Sequence, residues 1–131
     1  ATTAETSPPQ AKNGECLLTP TSPIIFPDPQ RVGAKAQLNC IHLRAADAQL
    51  QLWRSAGAVG PKGDILLSDT GWTTWPILGP KGSARAEDVP CAQLPASGRY
   101  YLRVRVRSTV PGKTGLKTSG WVRGKAATLR C

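Results

Sequence analysis

The chain has 131 residues, a length that suits one domain with its own hydrophobic core. Its net charge of +9 arises after residue 88: residues 1–88 carry eight basic and eight acidic side chains, whereas the remainder carries nine basic and no acidic ones. No apolar run approaches the roughly 18 residues of a membrane-spanning helix, so we expect no transmembrane segment. The uneven charge indicates an anionic partner.

The first 14 residues are rich in Thr, Ser and Pro and contain almost nothing that a core could bury. We therefore predict a flexible N-terminal tail over residues 1–14, followed by a single β-sandwich domain over residues 15–131. The chain begins at Ala1 without a methionine, and we interpret this as a mature N-terminus left by signal-peptide removal.

The four cysteines favour two disulfides over free or metal-bound thiols. The sequence has no Cys-x-x-Cys motif and a single histidine, so a zinc site built from close cysteine pairs is not expected. No metal or other cofactor is predicted. Disulfides place the protein in an oxidising compartment, the periplasm or the cell exterior.

Short apolar runs bounded by Gly, Pro, Asn and Asp predict about seven strands and no amphipathic helix. The 13 Gly and 12 Pro, against one Phe and no Met, suit such an all-β chain. In chain order the strands are expected at 16–26 (interrupted by two prolines), 35–43, 49–54, 65–67, 72–78, from residue 100 onward, and around 120–129. A Gly-rich loop over 56–63 and a polar loop over 79–90 connect them.

The clearest strand begins at Tyr100 and alternates with a period of two. One face is apolar and is expected to be buried, comprising Tyr100, Leu102, Val104 and Val106. The other face is expected to point to solvent, comprising Tyr101, Arg103, Arg105 and Arg107. The strand therefore joins a core to a basic surface.

The start of this strand carries a recognisable spacing, with Leu94, Pro95 and Gly98 preceding Tyr100. The spacing resembles the tyrosine corner of fibronectin type III and related immunoglobulin-like sandwiches. The resemblance implies a seven-stranded antiparallel β-sandwich in which Leu94 packs under the loop and the Tyr100 hydroxyl bonds to the loop backbone. Standard fibronectin type III domains lack the four cysteines found here.

Strand register predicts which cysteines pair. A hairpin turning at Asp28 places Cys16 opposite Cys40, and a hairpin turning near Pro111 places Cys91 opposite Cys131. We therefore predict the disulfides Cys16–Cys40 and Cys91–Cys131. The second hairpin also places Tyr101 across from Trp121.

The outward residues of the last two strands, together with one tryptophan of strand 49–54, form a candidate binding surface. Its members are Trp53, Tyr101, Arg103, Arg105, Arg107, Trp121, Arg123 and Lys125. Arginine forks bind carboxylate and phosphate and stack on aromatic rings. The alternative is a solvated basic strand in which Trp121 only stacks on an arginine. Trp72 and Trp75 are interpreted as core or partly buried residues rather than as ligand platforms.

The expected function is non-enzymatic, because the only histidine, His42, lies beside no nucleophile motif and the Gly-rich loop lacks a phosphate-binding ending. We expect an accessory subunit of a bacterial envelope assembly of secretion, pilus or flagellar type, docking an acidic protein. One alternative is a module that binds a glycan or an anionic cell-wall polymer. Another is an inhibitor of a secreted hydrolase that inserts a Gly-Pro-Lys-Gly loop, at Gly60 or Gly79. Nucleic acid is not the expected partner outside the cytoplasm.

Overall fold

The computed structural model describes residues 9–56 and 63–131, and these residues form an all-β structure of antiparallel sheets, as predicted. One short 3-10 turn, Cys91–Gln93, interrupts the strands. In the described ranges no helix has the length and apolarity needed to cross a membrane. Strands β1 to β14 are, in order, Ala11–Lys12, Cys16–Pro20, Ile24–Phe26, Arg31–Gly33, Lys35–Cys40, Ala45–Arg54, Ile65–Asp69, Thr73–Pro76, Gly82–Arg85, Val89–Pro90, Ser97–Thr109, Leu116–Thr118, Val122–Arg123 and Ala127–Arg130.

The strands form three sheets. A four-stranded sheet has the order β1-β2-β5-β9, and a three-stranded sheet has the order β10-β4-β3. The seven-stranded sheet has the order β12-β11-β6-β7. In that sheet β13 and β14 also pair with β11, and β8 also pairs with β6. β11, with 13 residues, is the longest strand and lies at the centre of this sheet.

The core is built by the alternation of β11. Leu102, Val104 and Val106 are fully buried and pack in one cluster with apolar residues of β6 and of the four-stranded sheet, such as Leu52 and Leu38. Each such side chain contributes about 1.5–3 kcal/mol when it leaves water. The predicted inward face of β11 is therefore confirmed, and the alternate residues of the strand lie on the outer face of the sheet.

Both predicted disulfides are present. Cys16 and Cys40 are direct partners on β2 and β5, so the predicted register of that hairpin is confirmed. The predicted register between β11 and the last strand is wrong, because Arg103 lies opposite Arg123, where the prediction placed Ser119. The last strand is broken into β12, β13 and β14, and the pairing shifts by one residue at each break.

The predicted tail is too long. Ala11 is buried in β1, which pairs with β2, and the Asn13 amide donates to the Ser108 hydroxyl at 2.7 Å. The side-chain amide oxygen (Oδ1) of Asn13 also accepts from the Cys16 backbone N–H at 2.8 Å. These contacts use a small residue and an amide rather than large apolar groups, which explains why the composition indicated a tail. Residues 1–8 of the predicted tail lie outside the described residues.

The predicted polar loop at 79–90 contains two strands. β9 pairs with β5, and its Ala84 is fully buried. A Cβ at Gly82 would lie 2.9 Å from the Pro76 carbonyl oxygen, so the close approach of backbone requires glycine there. The buried positions are small residues, which gave little hydrophobic signal. Of the predicted loop 56–63, residues 57–62 lie outside the described residues, and β5 ends at Cys40, before His42.

The tyrosine corner is formed only in part. Leu94 packs against the core, and Tyr100 is fully buried. Within residues 9–56 and 63–131, however, the Tyr100 hydroxyl has no hydrogen-bond partner, so the expected bond to the loop backbone is absent. A Cβ at Gly98 would lie 2.6 Å from that hydroxyl oxygen. The hydroxyl therefore fills the space that a side chain at Gly98 would need.

This arrangement gives a stability prediction. Tyr100→Phe should change the free energy of unfolding by no more than about 0.5 kcal/mol, because it removes a buried hydroxyl that has no partner. Gly98→Ala should cost about 1–3 kcal/mol through overpacking. The cost should fall when Tyr100→Phe is also present. Urea unfolding of the single and double variants measures the energetic coupling between Gly98 and Tyr100. If Tyr100→Phe lowered the free energy of unfolding by more than about 1 kcal/mol, the Tyr100 hydroxyl would have to form the tyrosine-corner hydrogen bond after all.

Candidate functional site

The outer face of the seven-stranded sheet carries alternating guanidinium groups and indole rings. The Arg103 Cζ lies 5.8 Å from the Trp53 ring centroid and 5.2 Å from that of Trp121. The Arg105 Cζ lies 4.5 Å from Trp121 and 4.6 Å from Trp72. The Arg107 Cζ lies 4.3 Å from Trp72. We call this set the arginine–tryptophan row: Trp53, Arg103, Trp121, Arg105, Trp72 and Arg107.

Strand geometry explains how the row forms. Alternate residues of a strand are spaced by about 6.6–6.8 Å on one face, enough for an aromatic ring to lie between successive guanidinium groups. Trp121 immediately precedes β13, and it reaches β11 between Arg103 and Arg105 because of the shifted register. All six members of the row are partly buried. Each cation–π contact of this kind contributes about 0.5–1 kcal/mol at an exposed site.

Trp72 is brought to the row by a tight turn after β7. The Asp69 carboxylate accepts from the Gly71 backbone N–H at 2.8 Å, and Gly71 has a φ of 62°, which favours glycine. The Thr70 hydroxyl accepts from the Leu50 backbone N–H at 3.0 Å and fixes the turn to β6. Trp72 is partly buried, as predicted, but its ring contacts Arg105 and Arg107 on the outer face of the sheet, whereas Trp75 packs against the core.

Tyr101 lies on the same face but is buried, so its predicted exposure is wrong. The Trp53 ring stacks beside it with centroids 6.4 Å apart and planes 3° apart, and the Arg123 Cζ lies 3.9 Å from its centroid. Its hydroxyl donates a hydrogen bond to the Asp64 carboxylate. Burial, together with this bond to a carboxylate, raises the pKa of Tyr101 to about 12.

Two of the three arginines in the row have polar partners. The Arg105 guanidinium donates to Gln49 Oε1 at 2.9 and 2.7 Å, and Gln49 in turn donates to Asp69 at 2.9 Å. Arg107 forms an ion pair with Asp47 at 3.0 Å. Burial acts to raise the pKa of Asp69, but hydrogen bonds from neighbouring amides outweigh it and hold that pKa below its usual range.

The third arginine of the row lies directly opposite another arginine. Arg103 on β11 pairs in register with Arg123 on β13. In the part of the chain that the structure describes, neither guanidinium has a hydrogen bond or an ion pair, and both contact aromatic rings. Asp64 is the nearby acid, but its oxygens accept from the Tyr101 hydroxyl and the Ala56 backbone N–H. That hydrogen bond from Tyr101, with the Ala56 bond and the Arg123 charge, lowers the pKa of Asp64.

Most of the predicted surface residues are thus brought together. Trp53, Trp121, Arg103, Arg105 and Arg107 form the row with Trp72, and Arg123 joins it through Tyr101. Lys125 is exposed between β13 and β14 and takes no part in the cation–π contacts of the described residues. The sequence prediction missed Trp72 as a member and the acidic partners Asp47, Asp64 and Asp69, because their positions depend on how β6, β7 and β8 pair.

One group of possible metal ligands occurs in the described ranges, comprising Glu15, Cys16 and Cys40. Both sulfur atoms belong to the Cys16–Cys40 disulfide and are not thiolates. The Glu15 carboxylate already accepts from the His42 backbone N–H at 2.7 Å. This group is therefore a structural cluster rather than a metal centre.

Tyr101 gives a prediction for alkaline conditions. Because its folded pKa of about 12 lies above the usual tyrosine pKa of 10.0, its contribution to stability should be complete below pH 10 and lost as the pH rises toward 12. Tyr101→Phe should flatten this loss. Urea unfolding between pH 8 and pH 11 tests it, and an unchanged slope in the variant would contradict the assignment. Tyr100, whose pKa burial also raises, accounts for any slope that remains.

Comparison with known proteins gives no match: no protein-family model fits the chain, and no curated protein and no solved structure is significantly similar to it. The geometry alone therefore defines the site, which is a preformed basic and aromatic surface on an antiparallel sheet.

Proposed function

We propose that this protein is a non-enzymatic interaction domain of the periplasm or cell exterior that docks an acidic protein through the arginine–tryptophan row. The observation that carries the proposal is the row itself: on one face of one strand, Arg103 and Arg105 each lie between two indole rings and Arg107 lies against one. The last third of the chain carries nine basic and no acidic side chains, so the surrounding field favours an anionic partner.

Stacking makes the basic face ready for binding. A free arginine side chain loses up to about 2 kcal/mol of rotamer freedom when it becomes fixed. In the row each arginine Cζ already lies 4.3–5.8 Å from the centroid of at least one indole ring, so part of this entropy is lost during folding rather than on binding. A partner that meets a preformed surface binds more tightly for the same contacts.

We further propose that the two larger sheets form a sandwich of the fibronectin type III or immunoglobulin-like class. The order β2-β5-β9 in one sheet and β12-β11-β6-β7 in the other follows the A-B-E and G-F-C-C′ order of that class. The two disulfides support an oxidising compartment, and an accessory subunit of a bacterial envelope assembly is the setting that we propose for the partner.

The two alternatives have less structural support. Sugar binding by stacking needs free ring faces, but Tyr101 is buried and Trp53 and Trp121 each contact an arginine. An inhibitor needs a free loop to insert into the enzyme, but the loop at Gly79 leads directly into strand β9, Gly82–Arg85. The other candidate loop, at Gly60, lies outside the described residues. An acidic partner that meets the edges of the guanidinium groups is compatible with both observations.

An affinity capture from envelope extract tests the proposal. Arg103→Glu with Arg105→Glu should reduce capture of the partner on the order of 100-fold at low salt, and the wild-type interaction should weaken as salt rises. The matched control is Lys35→Glu with Lys81→Glu, which makes the same change in net charge at two exposed lysines elsewhere on the surface. Equal loss in the control, or no loss in the first variant, would contradict docking through the row.

A further inference from the structure

We propose that Arg103 and Arg123 together bind one carboxylate group of the acidic partner, supplied by an Asp or Glu side chain of an extended segment. This inference rests on the proposed function and assigns its point of contact. The two arginines are direct cross-strand partners at one end of the arginine–tryptophan row. The remaining basic residues then supply attraction at longer range rather than a specific bond.

The placement of these two arginines needs an explanation. Directly opposite residues on antiparallel strands have Cβ atoms about 4.5–5.5 Å apart, and like charges at this spacing are destabilising. The other two arginines of the row have partners: Gln49 accepts from Arg105, and Asp47 pairs with Arg107. A negative group between Arg103 and Arg123 would remove the remaining repulsion.

The stacking contacts leave the required donors free. Each guanidinium has five N–H groups that point outward in its plane, whereas contact with an aromatic ring uses the face of the plane. Arg103 contacts the rings of Trp53 and Trp121, and Arg123 contacts the ring of Tyr101. Among the described residues no acceptor binds these N–H groups. The two adjacent guanidinium groups therefore keep free donors while the aromatic rings hold them in place.

A carboxylate fits this pair best. Its two oxygens accept parallel hydrogen bonds from a guanidinium fork, and the planar geometry is selective for such a group. Arg123 is exposed and Arg103 is partly buried, so an incoming side chain can reach both from the solvent side. An extended partner segment places side chains on one face at the same period as β11, which allows neighbouring acids to lie along the row.

The test uses a synthetic heptapeptide, acetyl-Ser-Glu-Ser-Glu-Ser-Glu-Ser-amide, and its counterpart with Gln in place of Glu. Arg103→Gln with Arg123→Gln is compared with Arg105→Gln with Arg107→Gln, since each pair removes two positive charges from the same face. Tryptophan fluorescence titration gives the affinities, and urea unfolding shows that each variant is folded. We expect the first pair to lose on the order of 10- to 100-fold in affinity and the second about 3-fold or less.

Arg103→Lys with Arg123→Lys keeps the charge but removes the forks, so a loss intermediate between wild type and the Gln pair is expected. Equal losses in the two Gln pairs would overturn the assignment to Arg103 and Arg123 while leaving the basic face as the docking surface. Failure of wild type to bind the Glu peptide, or equal binding of the Gln peptide, would overturn the carboxylate site. The proposed function would then depend on the envelope capture alone.

Discussion

Replacing Cys16 and Cys40 together by Ala is expected to lower the free energy of unfolding by about 3–4 kcal/mol. The bridge spans 24 residues, and without it the unfolded chain gains the conformational freedom of that loop. Cys16 is also buried in the core, so the variant loses packing around its sulfur, which lies 3.7 Å from the Ser108 hydroxyl. This is a large fraction of the 5–15 kcal/mol that is usual for a domain.

Urea unfolding of the oxidised wild type and the Ala variant measures this loss. The matched control is Cys91→Ala with Cys131→Ala, whose bridge spans 40 residues and whose cysteines are only partly buried. It should lose a similar amount from chain entropy, without the packing loss at Cys16. A loss below about 1 kcal/mol in the first variant would show that the β2–β5 pairing is maintained without the disulfide.

Glu15→Gln is expected to lower the free energy of unfolding by about 2 kcal/mol at neutral pH, because hydrogen bonds to charged groups contribute about 1.5–3 kcal/mol each. The Glu15 side chain is fully buried, accepts from the His42 backbone N–H at 2.7 Å and contacts His42 Nδ1 at 2.8 Å. An amide keeps the size of the side chain but removes the charge and offers one oxygen in place of two.

The same residue predicts a dependence on acid. Burial acts to raise the pKa of Glu15, but the hydrogen bonds from His42 outweigh it, so the folded pKa lies below the usual value of 4.5 for a glutamate. A lowered folded pKa means that the stability is present above pH 4.5 and is lost as the pH falls through the folded pKa. Glu15→Gln should therefore lose less stability between pH 7 and pH 3 than wild type.

Glu87→Gln is the matched control, since it makes the same chemical change at an exposed position. It should alter the free energy of unfolding by no more than about 0.5 kcal/mol at pH 7. His42→Ala removes only the bond from the exposed ring and keeps the backbone donor, so its cost should be smaller than that of Glu15→Gln. Equal acid sensitivity of wild type and Glu15→Gln would show that another carboxylate carries the effect.

The parts of the fold that could be predicted are those set by local periodicity. The alternation of apolar and polar residues from Tyr100 onward predicted β11 and its buried face, because a strand with one buried and one solvent-exposed face repeats every two residues. The turn at Asp28 joins β3 to β4, and β2 and β5 lie on either side of that hairpin. The pairing of Cys16 with Cys40 could be predicted because β2 and β5 pair in a register only one residue away from that of β3 and β4. β9 was missed because its inward residues are Gly82 and Ala84, which carry little hydrophobic signal.

The basic face was predicted correctly in part despite a wrong register. Arg103 faces Arg123 instead of Ser119, a shift of four residues, and an even shift keeps every side chain on the same side of the sheet. Trp121 and Arg123 therefore remained on the predicted face. The position of Trp72 and the burial of Tyr101 depend on contacts between segments distant in the chain, Asp64 with Tyr101 among them, and no local pattern encodes such contacts.

The two disulfides also determine how the domain would respond to a pulling force that enters near Cys16 and leaves at Cys131. The force passes through each S–S bond instead of through the chain that the bridge encloses. Only the segment from Cys40 to Cys91, 51 residue steps, can therefore be extended, to an end-to-end length of about 170–180 Å. β11 to β14, with Arg103 and Arg123, lie inside the second bypassed loop. Under force the protein would lengthen by unfolding of β6 to β10. The chain segment that carries both arginines bears no tension until a disulfide is reduced.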